Sequence, residues 1–411
     1  MKHGNGGVVP NVMKTVLTHI REVIQRILFI GFTVQILLGI AWMCRNLMQV
    51  QDYGSMYLQD GNNMTDGMYS VGGGYSFLYH GIFRVLGAYP PVIYVLQTLC
   101  AFGAGYGILR KFLEKRYAVW GGLVLVTFPF ALQCHFAVLP FSFFSSLILF
   151  MFSFLHGIKP GGKLLGSLVP AVGCGVLALV LWCGGGQQDD GAAGRSMEAI
   201  MASRLAWPTL WVDFDRWPEE IQEATVDVAL EAAYYPDNMK LLEDALVSAA
   251  GAEKAKEYYR EIGRVAWEYH KPMIIRQVGW DVLGYGATAI IFRMQLEGKS
   301  YDSYTGRNYE AMRGNSPILT KYYVEYGCWW FGCCLILTVI LTLLRMQERR
   351  RVPWGMIFLH ISISGILIAA LTMRGAGMMD YKYTVAVNVL WLIWSLAAAY
   401  CPGAQVTHSD G

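Results

Sequence analysis

Three acidic residues lie in one short segment that contains no lysine or arginine, VQDYGSMYLQDGNNMTDGMYSVGGGYSFLYH, residues 50–80. The acids are Asp52, Asp60 and Asp66, and five tyrosines and a glycine triplet accompany them. A carboxylate within hydrogen-bond reach of a hydroxyl group can act as a general base. The segment is therefore either an ordinary solvated loop or the rim of a site, and the choice depends on the elements that position it.

Those elements are strongly apolar. Of the 411 residues, 55% are hydrophobic and 15% are charged, whereas a soluble domain has about 25% charged residues. The apolar residues fall into runs of about 18–22 residues, the length of a helix that crosses a hydrocarbon core roughly 30 Å thick. The candidate spans are residues 27–44, 90–109, 117–136, 138–156, 164–183, 327–344, 353–373 and 383–400. The sequence thus predicts an all-α polytopic membrane protein with about eight transmembrane helices.

Basic residues near the ends of these spans indicate the orientation, because lysine and arginine are retained on the cytoplasmic side. With a cytoplasmic N-terminus, every basic cluster falls on that side. The clusters are Lys14, Arg21 and Arg26; Arg110, Lys111, Lys115 and Arg116; Lys159 and Lys163; and Arg345 with residues 349–351. We therefore predict a multi-pass protein of the plasma membrane with both termini in the cytoplasm.

Four parts follow along the chain. They are an amphipathic cytoplasmic N-terminus (1–26), an N-terminal membrane half (27–183) with its first outer loop (45–89), an extracytoplasmic insert (184–326) and a C-terminal membrane part (327–411). The insert holds 22 acidic and 15 basic residues, although the whole chain carries a net charge of +3. The excess of basic charge therefore belongs to the cytoplasmic loops, and we predict no nucleic-acid surface.

The insert is predicted to be helical. Pro218 is typical of a helix start, Asp237 of an N-cap, and Gly251 and Pro272 of helix ends. The stretch 273–294 is apolar but contains charged residues, which are costly at membrane depth. We expect it to form a helix that lies on the membrane surface or packs beneath the insert.

Several familiar chemistries are not indicated. The chain has no GxxxxGK[ST], HExxH, GxSxG or strand-bound GxGxxG motif, and its nine cysteines form no CxxC pair. Asp213 and Asp215 could chelate a divalent cation, but no further oxygen ligands are evident. We therefore predict no metal site and no cofactor.

The first outer loop carries a resemblance to a known family. Gln51-Asp52-Tyr53 opens the loop, Gly74-Tyr75 follows, and an amphipathic stretch to about Gly87 leads into PPVIYVLQ. In this arrangement residues 27–184 resemble the GT-C superfamily of membrane glycosyltransferases, which includes protein O-mannosyltransferases and lipid A aminoarabinose transferases. The family uses sugars linked to polyprenyl phosphate, and an acid at the start of its first outer loop acts in catalysis.

The resemblance implies a role for each candidate residue. Asp52 would be the base that takes the proton of the acceptor hydroxyl. Basic side chains at the membrane surface would stabilise the leaving phosphate; the candidates are Arg204, Arg276, Arg293, Arg374 and Lys382. Contacts to the acceptor or the sugar would come from Asp66, Tyr75, His80, Trp207 and Trp211. Each of these residues also has a simpler interpretation, as a solvated loop residue or an anchor at the membrane interface.

Three functions remain open at this point. The first is transfer of a sugar from a polyprenyl-phosphate donor to an unidentified glycan, lipid or protein acceptor of the cell envelope, in contact with the lipid bilayer. The second is a non-enzymatic role in polysaccharide export or envelope assembly. The third, a transporter, is less favoured because spans such as 138–156 and 353–373 contain few ionisable residues beyond His360.

Overall fold

The computed structural model describes residues 8–47, 81–82, 85, 90–136, 141–156, 164–184, 202, 214–234, 239–286, 316–348, 350, 352–373 and 385–402. Every regular element in these ranges is a helix, as the sequence predicts. The helices are α1 (Val8–Asn46), α2 (Pro90–Leu109), α3 (Lys115–Thr127), α4 (Pro129–His135), α5 (Phe141–His156), α6 (Leu164–Gly184), α7 (Glu219–Tyr234), α8 (Met239–Gly286), α9 (Pro317–Gln347), α10 (Trp354–Met373) and α11 (Val385–Tyr400), with a 3-10 turn at Phe214–Arg216.

Three helical segments of the described ranges are long and apolar enough to cross a membrane: Thr15–Asn46, Pro91–Leu109 and Pro317–Gln347. Shorter apolar segments are Ser142–His156, Gly166–Val180, Trp354–Ile366 and Val385–Tyr400. Many large apolar side chains on these helices are exposed, including Ile30, Leu37 and Phe358. Because hydrocarbon is the solvent for such surfaces, the helices are those of a membrane protein.

Helices α1 and α9 run antiparallel and define two ends of a helical bundle. At one end the Arg21 guanidinium pairs with the Glu348 carboxylate. At the other, Asn46 Nδ2 donates a hydrogen bond to Ser316 Oγ over 3.3 Å. A helix rises 1.5 Å per residue, so Arg21 and Asn46 lie about 38 Å apart along α1. We call the end at Arg21 the basic end and the end at Asn46 the aromatic end.

The basic end collects several of the clusters predicted to be cytoplasmic. Phe112, next to Arg110 and Lys111, lines one groove together with Arg350, and the same groove reaches Cys401 after α11. Tyr400 at the end of α11 donates its hydroxyl hydrogen to the Gln25 carbonyl of α1 over 2.8 Å. The loops after α2 and α9 and the end of α11 therefore lie together. Lys159 and Lys163 are outside the described residues.

Thirteen of the sixteen residues of α11 are buried, so other helices of the bundle surround it. Its C-terminal carbonyl groups have no partner within the helix. Arg345 of α9 donates to the carbonyl oxygens of Ala398, Ala399 and Cys401, so a buried guanidinium satisfies this helix end.

The predicted span 117–136 is interrupted. Helix α3 ends at Thr127, Phe128 has extended backbone angles (φ −68°, ψ 144°), and α4 begins at Pro129. Proline lacks an N–H group and disfavours a helical conformation in the preceding residue, so the break follows from the local sequence. Within the predicted N-terminal segment 1–26, residues 8–26 continue into the first span as the single helix α1.

Helices α7 and α8 enclose a second, smaller core. It contains Trp217, Ile221, Leu246 and Ile262 among its buried residues. The predicted helix start at Pro218 is confirmed, since α7 begins at Glu219. Gly251 has φ +79°, and its non-helical backbone angles divide α8 there, so the helix end predicted at Gly251 is confirmed and the next helical segment follows at once. Helix α8 contacts α10 and α11, which attaches this unit to the bundle.

Candidate functional site

Most residues that the sequence nominates lie outside the described ranges. They are Asp52, Asp66, Tyr75, His80, Arg204, Trp207, Trp211, Arg293, Arg374 and Lys382. The exception is Arg276, an exposed residue of α8 that follows the kink at His270. Asp52 follows Leu47, the described residue directly after α1, by five positions. The described residues nearest to Asp52 in the chain are therefore those of the aromatic end, where α1 ends.

Four aromatic rings from four helices or their ends meet there. The rings of Trp42 and Phe136 have centroids 5.4 Å apart, those of Tyr94 and Phe136 5.3 Å, and those of Trp42 and Tyr323 6.1 Å. All four side chains are buried. Such ring contacts contribute about 0.5–1.5 kcal/mol each beyond the burial of their area. They hold the ends of α1, α2, α4 and α9 together at the point from which the acidic segment departs.

Polar groups of α1 and α9 lie among these rings. Trp42 Nε1 donates to Thr320 Oγ1 over 3.1 Å, and Asn46 Nδ2 donates to the Trp42 carbonyl over 2.8 Å. Asn46 is 2% exposed, and its Oδ1 atom has no hydrogen-bond partner among the described residues. A buried amide oxygen in that state is an available acceptor for a donor group.

A second polar group connects α2, α4 and α5. Gln97 Nε2 donates to the carbonyl of His135 over 2.7 Å, and His135 Nδ1 lies 2.7 Å from Ser142 Oγ. His135 is the last residue of α4 and Ser142 lies in the first turn of α5. These bonds connect the end of α4 with the start of α5 through side chains that are themselves buried.

The break between α3 and α4 is held from both sides. Thr127 O accepts a hydrogen bond from Gln35 Nε2 of α1 over 3.0 Å and another from the Tyr323 hydroxyl of α9. Backbone groups freed by a break need such partners, because no water is available in the hydrocarbon region. The packing is also close: a Cβ atom at Gly327 would lie 2.5 Å from Pro129 Cγ.

The described part of the site can bind and orient but has few groups for proton transfer. It offers hydroxyl, amide and indole groups and one buried imidazole, and no carboxylate belongs to it. Among the described residues no three histidine, cysteine, aspartate or glutamate side chains lie together as metal ligands. A carboxylate base would therefore have to come from a neighbouring segment, such as the one that begins after Leu47.

Sequence reasoning overlooked five residues of this arrangement. They are Gln35, Gln97, Thr127, His135 and Tyr323. Two signals were nevertheless in the sequence: a glutamine in each of two apolar runs, and Pro129 in the middle of a predicted span. A polar or helix-breaking residue in a span requires a partner from another helix.

Comparison with protein-family models, curated proteins and solved structures gave no match.

Proposed function

We propose that the protein is a membrane glycosyltransferase of the GT-C kind, which moves a sugar from a polyprenyl-phosphate donor to an acceptor of the cell envelope. In this proposal Asp52 is the general base, and Arg276 with Arg204, Arg293, Arg374 and Lys382 supplies positive charge for the donor phosphate. Asp66, Tyr75, His80, Trp207 and Trp211 contact sugar or acceptor. The leaving group is a phosphate, so a base and a phosphate-binding group suffice for the chemistry.

The proposal includes a topology of eight spans, with α3 and α4 together forming one crossing. The basic end faces the cytoplasm of a plasma-membrane protein, and the acidic insert 184–326 lies outside. The gathering of basic residues from separate loops at one end of the bundle supports this orientation, because lysine and arginine are retained inside.

One observation carries the proposal: Arg21 and Asn46, both on the single helix α1, lie at opposite ends of the bundle. The segment with Asp52 follows directly after the aromatic end, far from the basic cluster. A base that acts on an outer acceptor must be on that side. The buried aromatic and polar groups of α1, α2, α4 and α9 give the loop a rigid support, as a catalytic group requires.

Transfer of labelled sugar from a polyprenyl-phosphate donor in isolated membranes tests the proposal. Asp52→Asn should abolish transfer while the protein remains inserted, because the amide cannot accept the hydroxyl proton. Asp60→Asn is the matched control, an acid of the same segment eight residues further on, and should retain transfer. Full activity of Asp52→Asn would contradict the assignment.

A transporter is the second candidate, and the break between α3 and α4 favours it. Discontinuous helices near the middle of a bundle are a feature of secondary transporters, and the spans considered from the sequence alone did not show one. The described groups around the break are uncharged, so the solute would be a small neutral polar molecule. Purified protein in liposomes would then move such a solute down its gradient and would not transfer sugar. Sugar transfer that depends on Asp52 would exclude this function as the main one.

A further inference from the structure

Two adjoining grooves lie at the basic end, opposite to the aromatic end. The first, of about 410 Å³, is lined by Phe112, His156, Arg350, Val352, Pro353, Trp354, Gly355 and Cys401. The second, of about 320 Å³, is lined by Arg110, Lys111, Phe112, Leu113, Glu114, Cys401 and Pro402. They share Phe112 and Cys401, so they form one continuous depression, which we call the basic groove.

The floor of the basic groove is closely packed. The rings of Phe112 and His156 have centroids 4.8 Å apart. A Cβ atom at Gly355 would lie 2.6 Å from His156 Cε1, so the first turn of α10 approaches the histidine ring directly. The depression therefore rests on contacts among the α2–α3 loop, the end of α5 and the start of α10.

The rim of the basic groove is positively charged. Arg110, Lys111 and Arg350 line it, and all three are exposed. Arg110 Nη1 donates to the Leu113 carbonyl over 2.8 Å, which leaves its other N–H groups for a ligand. Glu348, which pairs with Arg350, also pairs with Arg21, so one carboxylate serves two guanidinium groups. Glu114, which also lines the groove, pairs with Arg116. The rim therefore keeps a net positive charge, which favours an anion.

An apolar stripe leads from the groove along the outside of α10. Trp354 is 59% exposed, Phe358 74%, Ile361 64% and Ile366 61%. Trp354, Phe358 and Ile361 lie on one face of the helix, within about 60° of one another, and Ile366 lies further round, about 80° from Phe358, so the stripe winds partly around α10. The distance from residue 354 to residue 366 along a helix is about 18 Å, comparable with half of a hydrocarbon core about 30 Å thick. The stripe therefore has the length of one acyl chain in one leaflet.

We propose that the basic groove binds the phosphate headgroup of an anionic phospholipid, with one acyl chain of that lipid on the stripe Trp354, Phe358, Ile361 and Ile366. The two parts of the surface match the two parts of such a molecule: a cationic rim for the phosphate, and an apolar face of one-leaflet length that begins at the groove. A soluble phosphate would use only the rim, and a zwitterionic lipid would bring a positive group of its own.

Quenching of tryptophan fluorescence in nanodiscs tests this proposal with the whole protein. Brominated phosphatidylglycerol at a low mole fraction should quench more strongly than brominated phosphatidylcholine. The difference should largely disappear in Trp354→Phe, which removes the reporter at the start of the stripe. Equal quenching by the two lipids, or a difference that Trp354→Phe leaves unchanged, would overturn the proposal.

Charge variants then test the rim. Lys111→Gln and Arg110→Gln should each weaken the retention of phosphatidylglycerol, measured by native mass spectrometry, by about fivefold, the usual effect of one basic residue at an anionic membrane surface. Lys321→Gln, which removes an exposed lysine at the aromatic end, is the matched control and should have no effect. If Lys111→Gln retains the lipid as the native protein does, the rim is not the binding site.

Inorganic phosphate separates the two sources of the anion. Phosphate at millimolar concentration should not displace phosphatidylglycerol, because it makes no contact with the stripe. Displacement by phosphate alone, with loss of the lipid adduct, would show a soluble-anion site and would overturn the lipid assignment.

Discussion

The hydroxyl group of Tyr323 in α9 donates its hydrogen to the carbonyl oxygen of Thr127, the last residue of α3. The two residues are 196 positions apart in the sequence, and the bond crosses the bundle at the break before Pro129. It couples the C-terminal membrane helices to the interruption that shapes the N-terminal half. The first two predictions concern this contact and its immediate packing.

Tyr323→Phe should lower the free energy of unfolding by about 1 kcal/mol, because Thr127 O loses one of its two donors while Gln35 Nε2 remains. The neighbouring Tyr322 is 62% exposed, so Tyr322→Phe is a matched control and should leave stability unchanged. Denaturant unfolding in detergent micelles measures both. Equal stability of the two variants would mean that the Tyr323 bond contributes nothing.

Gly327→Ala should destabilise the protein by about 1–3 kcal/mol through overpacking, because the new methyl group would lie 2.5 Å from Pro129 Cγ. Gly332 lies five residues further along α9, and a Cβ atom there would meet nothing within 4 Å. Gly332→Ala should therefore be neutral or slightly stabilising, since alanine has the better helix propensity. Thermal unfolding in the same detergent distinguishes the two variants. If Gly327→Ala has the stability of the native protein, the break between α3 and α4 can move away from α9 to accommodate the methyl group.

Arg345→Met should expose the end of α11. The guanidinium donates hydrogen bonds to three carbonyl groups there. Methionine has a similar length but no hydrogen-bond donor, so these carbonyl groups lose their partner. Cys401 is 7% exposed, so its reaction with a maleimide should become several-fold faster in the variant. Labelling resolved by peptide mass spectrometry measures this, with the exposed Cys333 as an internal reference whose rate should not change. An unchanged rate at Cys401 would show that the helix end does not depend on Arg345.

The second core should weaken at acidic pH. Hydrogen bonds from Lys254 Nζ, 2.7 Å, and the Tyr258 hydroxyl, 2.5 Å, lower the pKa of Glu220, and the charge of Lys254 lowers it further. A carboxyl group with a lowered pKa stabilises the folded state above its ordinary pKa of about 4.3, and that stabilisation is lost as the pH falls through the lowered value. Because the group is exposed, the change is small.

Hydrogen exchange of α7 and α8, corrected for the intrinsic rate, should therefore show less protection at pH 3 than at pH 6. The loss should be smaller in Glu220→Gln than in Glu219→Gln, the neighbouring exposed acid. An identical pH dependence in the two variants would remove Glu220 as the cause.

Single cysteines test the proposed topology. A cysteine at position 111 should react only with reagent supplied from inside, and one at position 253 only with reagent from outside. Both positions are exposed, so reagents can reach them. Reaction of both from the same side would overturn the eight-span orientation.

Features with a local cause could be predicted from the sequence. The apolar runs predicted the helical membrane bundle, and Pro218 predicted the start of α7. Gly251 predicted a helix end, and the backbone leaves the helical angles there before the next helical segment begins.

Features that depend on distant partners could not be predicted. A hydropathy window averages Pro129 with its apolar neighbours, so the span 117–136 looked continuous. The pairing of Tyr323 and Gln35 with Thr127 requires three helices to be placed correctly, and one sequence does not contain that placement. The role of Asp52 as the catalytic base stays a prediction, because the argument for it comes from the end of α1 that precedes this residue.

The pairing of Arg21 with Glu348 has a consequence for the biosynthesis of the chain. The two residues are 327 positions apart, and ribosomes add about 5–20 residues per second. Arg21 must therefore wait roughly 15–65 s during translation before its carboxylate partner exists. During that interval α1 can insert into the membrane, but this ion pair cannot yet fix how deeply the helix lies in it. Assembly of the basic end is thus a late event, and a truncated chain that stops before α9 leaves this arginine without the partner that buries it.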